Sequence, residues 1–298
     1  MIITSLTNSQ DLAKKIARKM NVSFSKTTVS SFPDGDIYIK FNKSLKDETV
    51  VIVDTFQPDS SKVLFNILFA SKTAKDLGAK KIILVAPYLA YMRQDKRFKE
   101  GECISSKIMA ELLNTSIDKI ITIDPHIHRY KSLNDIFTIS TANITANHII
   151  ADYIKKNYEN VAVIGPDWES YQWAEDISKE IGVQNTILEK TRHSSRNVDV
   201  AVKKEIDIKG KNVVIVDDII STGNTMIKAA IKAKGMKAKN IIAIGVHGLF
   251  VEDGLKKMKK HFTQIHTTNT ISHQTNSMDV SDIIINELKK HLPKKLTT

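Results

Sequence analysis

The feature of this sequence that most constrains its fold is the alternation of short, β-branched apolar runs with segments of helical periodicity. Six such runs are found at Thr49–Val53, Lys81–Val85, Lys119–Ile123, Asn160–Ile164, Asn212–Val216 and Asn240–Ile244. The core of one run, Val213–Val216, is apolar without interruption, as a strand covered by helices on both faces requires. The sequence therefore predicts an α/β fold in which mainly parallel sheets are flanked by helices.

Apolar residues at helical spacing predict which helix faces pack on these sheets. Three stripes are expected to be core, namely Leu12, Ile16 and Met20, then Val63, Ile67 and Ala70, and then Ile104, Ile108 and Leu112. A last stripe is formed by Val280, Ile283, Ile284 and Leu288. That final helix is compatible with packing on either half of the chain, including the N-terminal one.

The length of 298 residues favours two compact domains of roughly 150 residues each. The segment from Asp135 to Asn143 lacks a clear helical period, and the pattern restarts near Ile144. We therefore predict an N-terminal domain over residues 1–143 and a C-terminal domain over residues 144–298.

Composition narrows the class of protein. Hydrophobic residues make up 42% and charged residues 26%, which is typical of a folded globular chain. The formal charge is +11, but the lysines are spread over most helical segments and no zinc-finger or aromatic-basic RNA motif accompanies them. We expect solvated lysine faces and an anionic small substrate, and no nucleic-acid partner.

The single cysteine, Cys103, cannot form an internal disulfide, and no apolar run is long enough to span a bilayer. The N-terminal residues lack the basic region and apolar run of a secretion signal. A cytoplasmic protein without a membrane segment is the expectation.

The strongest chemical motif follows the apolar run Val213–Val216. Two acids, Asp217 and Asp218, come first, and a small polar turn then leads into a helix, with the residues Ser221, Thr222, Gly223, Asn224 and Thr225. Backbone N–H groups and hydroxyls at a helix N-terminus favour a phosphate, while the carboxylates can accept hydrogen bonds from ribose hydroxyls. The alternative is that these residues only cap a helix.

Two polar segments in the first half add a second set of candidates. Pro87–Arg97 follows a strand and combines aromatic residues with cations, which suits a polyphosphate and a flat base. Phe32–Asp36 is a turn whose aromatic ring and acids have no evident core role. The alternatives are a solvated charged loop for the former segment and an ordinary type I or II turn for the latter.

Three more segments carry histidine, carboxylate or basic groups. Asp124–His128 and Gly165–Asp167 each follow a predicted strand, and their side chains can hold a divalent cation, although zinc spacing is absent. Leu188–Arg196 is polar and basic without helical period, which predicts a mobile loop whose cations converge on a phosphoryl group. Considered alone, that loop is equally compatible with a solvated charge run.

These motifs, in this order, resemble one family. Val213–Thr225 resembles the phosphoribosyl-pyrophosphate loop shared by type I phosphoribosyltransferases and ribose-phosphate diphosphokinases, while Phe32–Asp36 and Pro87–Arg97 resemble the diphosphokinases. The resemblance runs nearly the whole chain, through Val246–Phe250 and Thr268–Ile271. It implies two type I phosphoribosyltransferase-like domains, ATP on the first and ribose 5-phosphate on the second. The implied reaction transfers the diphosphate of ATP to the C1 hydroxyl of ribose 5-phosphate.

The resemblance also implies roles for individual residues. The implied ATP-binding residues are Phe32, Asp34, Asp36, Arg93, Gln94 and Asp95. Binding of ribose 5-phosphate falls to Asp217, Asp218, Ser221, Thr222, Gly223, Asn224 and Thr225. The implied Mg²⁺ ligands are His126 and Asp167, and the implied catalytic cations are Lys190 and Arg192. Family members usually form homo-oligomers in which the counterparts of Phe32, Asp34 and Asp36 reach ATP from an adjoining subunit.

The sequence departs from the family pattern at three places: Asn224 replaces a glycine, Asp36 replaces a glutamate, and Trp168-Glu169-Ser170 replaces small residues and glycines. Two other functions stay open. A phosphoribosyltransferase would need no ATP segment, and a catalytically silent regulatory homologue would not need to retain Lys190 and Arg192. A P-loop kinase is disfavoured, because no Gly-Lys is followed by Ser or Thr.

Overall fold

The computed structural model describes residues 1–183, 185–187 and 207–291. The strands are β1 (Ile2–Thr4), β2 (Ser23–Phe24), β3 (Thr27–Ser31), β4 (Ile37–Phe41), β5 (Thr49–Val53), β6 (Lys81–Ala86), β7 (Lys119–Ile123), β8 (Ser140–Ile144), β9 (Val161–Gly165), β10 (Asn185–Ile187), β11 (Asn212–Ile220), β12 (Asn240–Gly248), β13 (Gln264–Thr268) and β14 (Asn276–Met278). The α-helices are α1 (Gln10–Met20), α2 (Ser60–Asp76), α3 (Ser105–Asn114), α4 (Asn147–Asn157), α5 (Tyr171–Ile181), α6 (Asn224–Gly235), α7 (Gly254–Met258) and α8 (Ser281–Lys289), and a 3₁₀ turn spans Leu133–Asp135. Within these ranges, no helix has the length and apolar character needed to cross a membrane.

The chain divides into two compact units. The first comprises Met1–Thr145, Thr270–Ser272 and the described residues from Val280 onward, and the second comprises the described parts of Ala146–Asn269 and His273–Asp279. The last helix, α8, therefore belongs to the first unit although it follows the second in the sequence.

The first unit is built on a parallel sheet of six strands in the order β2-β1-β5-β6-β7-β8. Its central strands are apolar and buried on both faces, as in β5, where Val50–Val53 are fully buried. Strands β3 and β4 form a separate antiparallel hairpin that contacts α2. Helix α8 packs on α1 and β8.

Two ion pairs hold α8 on the first unit. Lys119 Nζ lies 2.7 Å from Glu287 Oε1, and both side chains are almost fully buried. Lys19 Nζ lies 2.7 Å from Asp282 Oδ1, but both of these side chains are open to solvent.

The second unit repeats the architecture with a parallel sheet in the order β10-β9-β11-β12-β13-β14. Helix α5 contacts β9 and β11, and helix α6 contacts β11 and β12. The apolar cores of β11 and β12 pack with Met226 and Ala230 of α6 and with Met258 of α7. The predicted fold class, two α/β units with mainly parallel sheets flanked by helices, is confirmed.

Several strand bounds and one helix face differ from the sequence-based expectations. Strand β11 does not end at Val216 but continues to Ile220, because Ile219 and Ile220 pair with the extended β12. The expected core stripe of α3 is wrong: Ile108 and Leu112 are about half exposed. The buried face of α3 is formed by Ser106, Met109, Ala110 and Leu113.

Candidate active site

Three carboxylates gather in the second unit where β9 and β11 approach their C-terminal ends. Asp217 and Asp218 belong to β11, and Asp167 follows the last residue of β9 by two positions. The Asp167 carboxylate is oriented by Ser170, whose backbone N–H and hydroxyl donate to Oδ1 at 3.0 and 2.6 Å. Asp218 is buried, and its Oδ1 accepts the N–H of Ile219 at 2.7 Å.

The electrostatics of this cluster favour a bound cation or hydrogen-bond donor. Loss of hydration raises the pKa of Asp217 well above its usual range, and the negative charges of Asp218 and Asp167 raise it further. Adjacent carboxylates that repel one another are stabilised when a cation or hydroxyl group comes between them. The structure thus brings together three residues that the sequence analysis had assigned to sugar and metal binding.

The turn after β11 leads into the N-terminus of α6, a position at which backbone N–H groups can bind a phosphate. Gly223 is the residue before α6 and has φ +76°, a left-handed conformation that favours glycine. The Asn224 N–H lies 3.5 Å from the Thr222 hydroxyl. Gly254 of α7 lies directly behind the turn, where a Cβ would come within 2.9 Å of the Ser221 carbonyl oxygen. The glycines therefore allow α7 to support the turn at close range.

The predicted catalytic cations, Lys190 and Arg192, lie outside the described residues. Strand β10, which precedes them, pairs in parallel with β9, and Ile187 stands opposite Gly165.

In the first unit, the predicted turn at Phe32–Asp36 is the tip of the β3–β4 hairpin. The Phe32 N–H donates to the Asp36 carbonyl at 2.8 Å, and Gly35 takes φ +97°. Asp34 accepts the Asp36 N–H at 3.2 Å. The Phe32 ring is 53% exposed and meets the edge of Tyr38 at 5.7 Å between centroids. A large exposed aromatic ring at a hairpin tip is available to a ligand or to another chain.

The three candidate ATP-binding residues in the segment after β6 differ in how exposed they are. Arg93 is exposed and Gln94 is half-buried, but Asp95 is buried and its carboxylate receives two hydrogen bonds from Arg129. The contribution of Arg129 was missed in the sequence analysis, since nothing local to Asp95 indicates a partner so far along the chain.

The histidines after β7 lie against each other. His128 Nε2 is 3.0 Å from His126 Nδ1, and the two rings are nearly perpendicular. The backbone of Asp124, just before them, has φ +36°. Each imidazole therefore fixes the orientation of the other, as expected for a metal ligand and its supporting partner.

A further buried carboxylate was also missed. Asp54 follows β5 directly and accepts hydrogen bonds from the N–H groups of Thr7 and Asn8 at 2.9 and 3.0 Å. Burial raises its pKa, although these hydrogen bonds act in the opposite direction. The signal was present in the sequence, because Asp54 follows an apolar run just as Asp217 does.

Both halves of the chain match known family models. Residues 1–116 match the N-terminal domain of ribose phosphate pyrophosphokinase, and residues 132–282 match the phosphoribosyl transferase domain. The ribose-phosphate pyrophosphokinase of Methanobrevibacter smithii is 34% identical over 294 residues, covering 94% of this chain and 97% of the relative. That of Sulfolobus acidocaldarius is 34% identical over 286 residues, covering 95% and 97%.

The fold is shared with a solved structure. The phosphoribosylpyrophosphate synthetase from Mycobacterium smegmatis superposes with a TM-score of 0.86 and 24% identity, over 97% of this chain and 98% of that one. Both units and their order are thus those of a known architecture. Together with the matches over nearly the full length of the curated relatives, this makes the chain a member of the ribose-phosphate pyrophosphokinase family.

Proposed function

We propose that this chain synthesises 5-phosphoribosyl 1-diphosphate by transferring the diphosphate of ATP to the C1 hydroxyl of ribose 5-phosphate, with AMP as the second product. The observation that carries the proposal is the arrangement of Asp217 and Asp218 beside the turn Ser221–Thr225. In a chain that also carries the family's N-terminal domain, this sugar-phosphate site serves the synthesis of the phosphoribosyl diphosphate.

In the second unit, the turn binds the 5-phosphate of the sugar. Backbone N–H groups at the start of α6 and the hydroxyls of Ser221, Thr222 and Thr225 donate to the phosphate oxygens. Asp217 and Asp218 accept hydrogen bonds from the ribose hydroxyls. Burial and the neighbouring charges of Asp218 and Asp167 raise the pKa of Asp217, and hydrogen bonds donated by the ribose hydroxyls stabilise its ionised form.

In the first unit, ATP is bound by the segment that contains Arg93, Gln94 and Asp95. The exposed guanidinium of Arg93 suits the polyphosphate, because arginine donates paired hydrogen bonds to phosphate oxygens. The hairpin tip with Phe32, Asp34 and Asp36 serves an adjoining copy of the chain in a homo-oligomer. The exposure of the Phe32 ring supports this arrangement.

The carboxylate of Asp167 fits magnesium, which prefers oxygen ligands, and the family resemblance adds His126. Asp167 offers carboxylate oxygen in a cluster of repelling acids, and His126 offers an imidazole oriented by His128. We propose Asp167 in the second unit and His126 in the first as Mg²⁺ ligands. When bound, magnesium neutralises charge on the ATP phosphates.

The reaction is an in-line displacement at the β-phosphorus of ATP. The C1 oxygen forms a bond to that phosphorus, the bond to the α,β-bridging oxygen breaks, and AMP leaves with that oxygen while the hydroxyl proton is released. Lys190 and Arg192 stabilise the charge that develops on the transferred group. The protein contributes mainly by positioning the two substrates.

The test mixes the protein with magnesium, ATP and ribose 5-phosphate and follows AMP by chromatography and the new diphosphate ester by ³¹P NMR. AMP is expected to form in equal amount to the sugar consumed, and its formation should stop when the sugar is omitted. Release of ADP or phosphate in place of AMP would refute the proposal. Diphosphate released from phosphoribosyl diphosphate only when a nucleobase is added would instead identify a phosphoribosyltransferase.

A further inference from the structure

An ion pair with a buried carboxylate anchors the nucleotide segment of the first unit. One nitrogen of Arg129, Nη1, donates to both carboxylate oxygens of Asp95, at 2.9 and 3.1 Å. The Asp95 side chain is only 1% exposed, whereas that of Arg129 is 38% exposed. A carboxylate removed from water in this way depends on its partner, because an unpaired buried charge is strongly unfavourable.

The residue next to Arg129 fixes the backbone of the same segment. The Tyr130 hydroxyl donates to the carbonyl oxygen of Asp95 at 2.9 Å and lies 3.0 Å from the Ser106 hydroxyl. The Ser106 hydroxyl in turn lies 3.3 Å from the Gln94 carbonyl oxygen, to which it donates. The main-chain carbonyls of two successive residues, Gln94 and Asp95, are thereby held from one side.

The residues after Asp95 are also ordered by contacts. The Arg129 guanidinium lies 5.3 Å from the centre of the Phe98 ring. The carboxylate of Glu102 accepts the N–H groups of Phe98 and Lys99 at 2.9 and 3.1 Å. Arg129 therefore contacts both the beginning and the middle of this loop.

Burial along the segment shows what the anchoring achieves. Met92 and Asp95 are buried, while Arg93 between them is exposed. Because the flanking side chains are fixed in the protein, the Arg93 backbone has little freedom to move, and its guanidinium is presented outward in a restricted region. Preorganisation of this kind strengthens binding by reducing the ordering cost.

We propose that Arg129 and Tyr130 are positioning residues for ATP, which act on the nucleotide through Asp95 and Gln94 and not by direct contact. The inference rests on the proposed function, since it assumes that the segment with Arg93 binds ATP. It also connects two parts of the site, because the stretch that carries His126 continues directly to Arg129.

The test is a double-mutant cycle with Arg129→Met, Asp95→Asn and the double variant, measured as kcat/KM for ATP at saturating ribose 5-phosphate. Each single variant is expected to lose about 10- to 100-fold, as for a misplaced positioning group. The double variant should be no worse than either single one, since both remove the same link. Arg129→Lys should recover part of the loss, because it keeps the charge without the guanidinium geometry.

Two controls separate positioning from general damage. The KM for ribose 5-phosphate should stay unchanged in all these variants, and Lys19→Met, which removes a surface ion pair of the same unit, should leave both constants unchanged. If Arg129→Met does not fold, as judged by circular dichroism, Tyr130→Phe supplies the measurement. Loss of that hydroxyl alone should raise the KM for ATP.

Additive losses in the double variant would show that Arg129 and Asp95 act independently and would overturn the inference, as would an unchanged KM for ATP in the folded variants. Titration of ADP with magnesium, followed by calorimetry, keeps this test separate from that of the proposed function. If the wild-type chain forms no AMP from ATP and ribose 5-phosphate, the proposed function fails. Weaker ADP binding by Arg129→Met would still support the positioning role in that case.

Discussion

The imidazole rings of His128 and His126 are joined Nε2 to Nδ1 at 3.0 Å. A histidine that binds a metal through one nitrogen is commonly oriented by a partner at the other, and loss of the partner typically costs about 10- to 100-fold in metal affinity or activity. His128→Phe should therefore raise the magnesium concentration needed for half-maximal rate by about that factor. The measurement is a magnesium titration of the initial rate at fixed ATP.

His148→Phe, at an exposed histidine paired with Glu180, is the control. An unchanged magnesium requirement in His128→Phe would show that His128 does not support His126 as a metal ligand.

Asp217 should lower the stability of the free protein as it ionises. Its folded pKa is raised above the ordinary value of 3.8, so its favourable contribution is present below that value and is lost as pH rises through the folded pKa. Asp217→Asn cannot ionise, so the variant should become more stable than the wild type as pH increases. We expect a gain of about 2–4 °C in thermal midpoint, which corresponds to about 1 kcal/mol in a domain of this size. Thermal unfolding without magnesium or substrate, over a series of pH values, is the check.

The same substitution should weaken substrate binding. A hydrogen bond to a charged group contributes about 1.5–3 kcal/mol, so the KM for ribose 5-phosphate should rise about tenfold or more in Asp217→Asn. Asp176→Asn, at an exposed acid of α5, should change neither stability nor KM. A wild type that is more stable than Asp217→Asn at every pH would contradict the electrostatic account.

Gly254 packs closely against Ser221 and Thr222, in the turn proposed to bind the 5-phosphate. In Gly254→Ala, the new methyl group would lie 2.9 Å from the Ser221 carbonyl oxygen and 3.0 Å from that of Thr222, so the turn must move. We expect the KM for ribose 5-phosphate to rise on the order of tenfold while the KM for ATP is unchanged. Gly235→Ala is the matched control, because a Cβ there meets no atom within 4 Å. Equal kinetic effects of the two substitutions would rule out this role for Gly254.

The buried pair Lys119–Glu287 should matter far more to stability than the exposed pair Lys19–Asp282. Lys119→Met removes the buried partner of Glu287, which keeps the exposed Lys290 at 2.6 Å, and should cost about 1.5–3 kcal/mol, as for a hydrogen bond to a charged group, whereas Lys19→Met should cost about 0–1 kcal/mol. Urea unfolding of both variants gives the comparison. Similar losses of unfolding free energy in the two variants would show that burial does not determine how much each ion pair contributes.

The pH dependence of this pair has a defined sign. Burial acts to raise the pKa of Glu287, but hydrogen bonds from Lys119 and Lys290 outweigh it, and the pKa lies below the usual 4.5. The contribution of Glu287 is therefore present above that value and lost as pH falls through the folded pKa. The stability difference between wild type and Glu287→Gln should shrink on acidification.

Lys190→Ala should reduce turnover with little effect on binding of ribose 5-phosphate. Removal of one group that stabilises transition-state charge typically costs about 10²–10³ in kcat. Single-turnover rates and equilibrium binding of ribose 5-phosphate separate the two effects. Lys209→Ala, at an exposed lysine in the described part of the chain, is the control. Equal loss of ground-state affinity would contradict a role limited to the transition state.

The sheets could be predicted because their strands are buried on both faces. The runs Thr49–Val53 and Lys119–Ile123 coincide with β5 and β7 residue for residue. Strand β11 is longer than predicted. The acids Asp217 and Asp218 interrupt the apolar pattern in the sequence, but pairing with β12 continues past them. That extension depends on a neighbour in space and leaves no local signal.

The buried face of α3 could not be decided from spacing alone. Ile108 and Leu112 form one apolar stripe, and Met109 and Leu113 form another, one residue further on. In the folded protein the second stripe is the buried one. Likewise, Asp95 and Arg129 are 34 residues apart, so their pairing arises from the fold and not from a motif.

The placement of α8 has a consequence for biosynthesis. Lys119 emerges from the ribosome long before Glu287, and the whole second unit is translated between them. During that interval the nascent first unit must keep the Lys119 ammonium group hydrated or bear the cost of an uncompensated buried charge. The unit that is made first is consequently the one that is finished last.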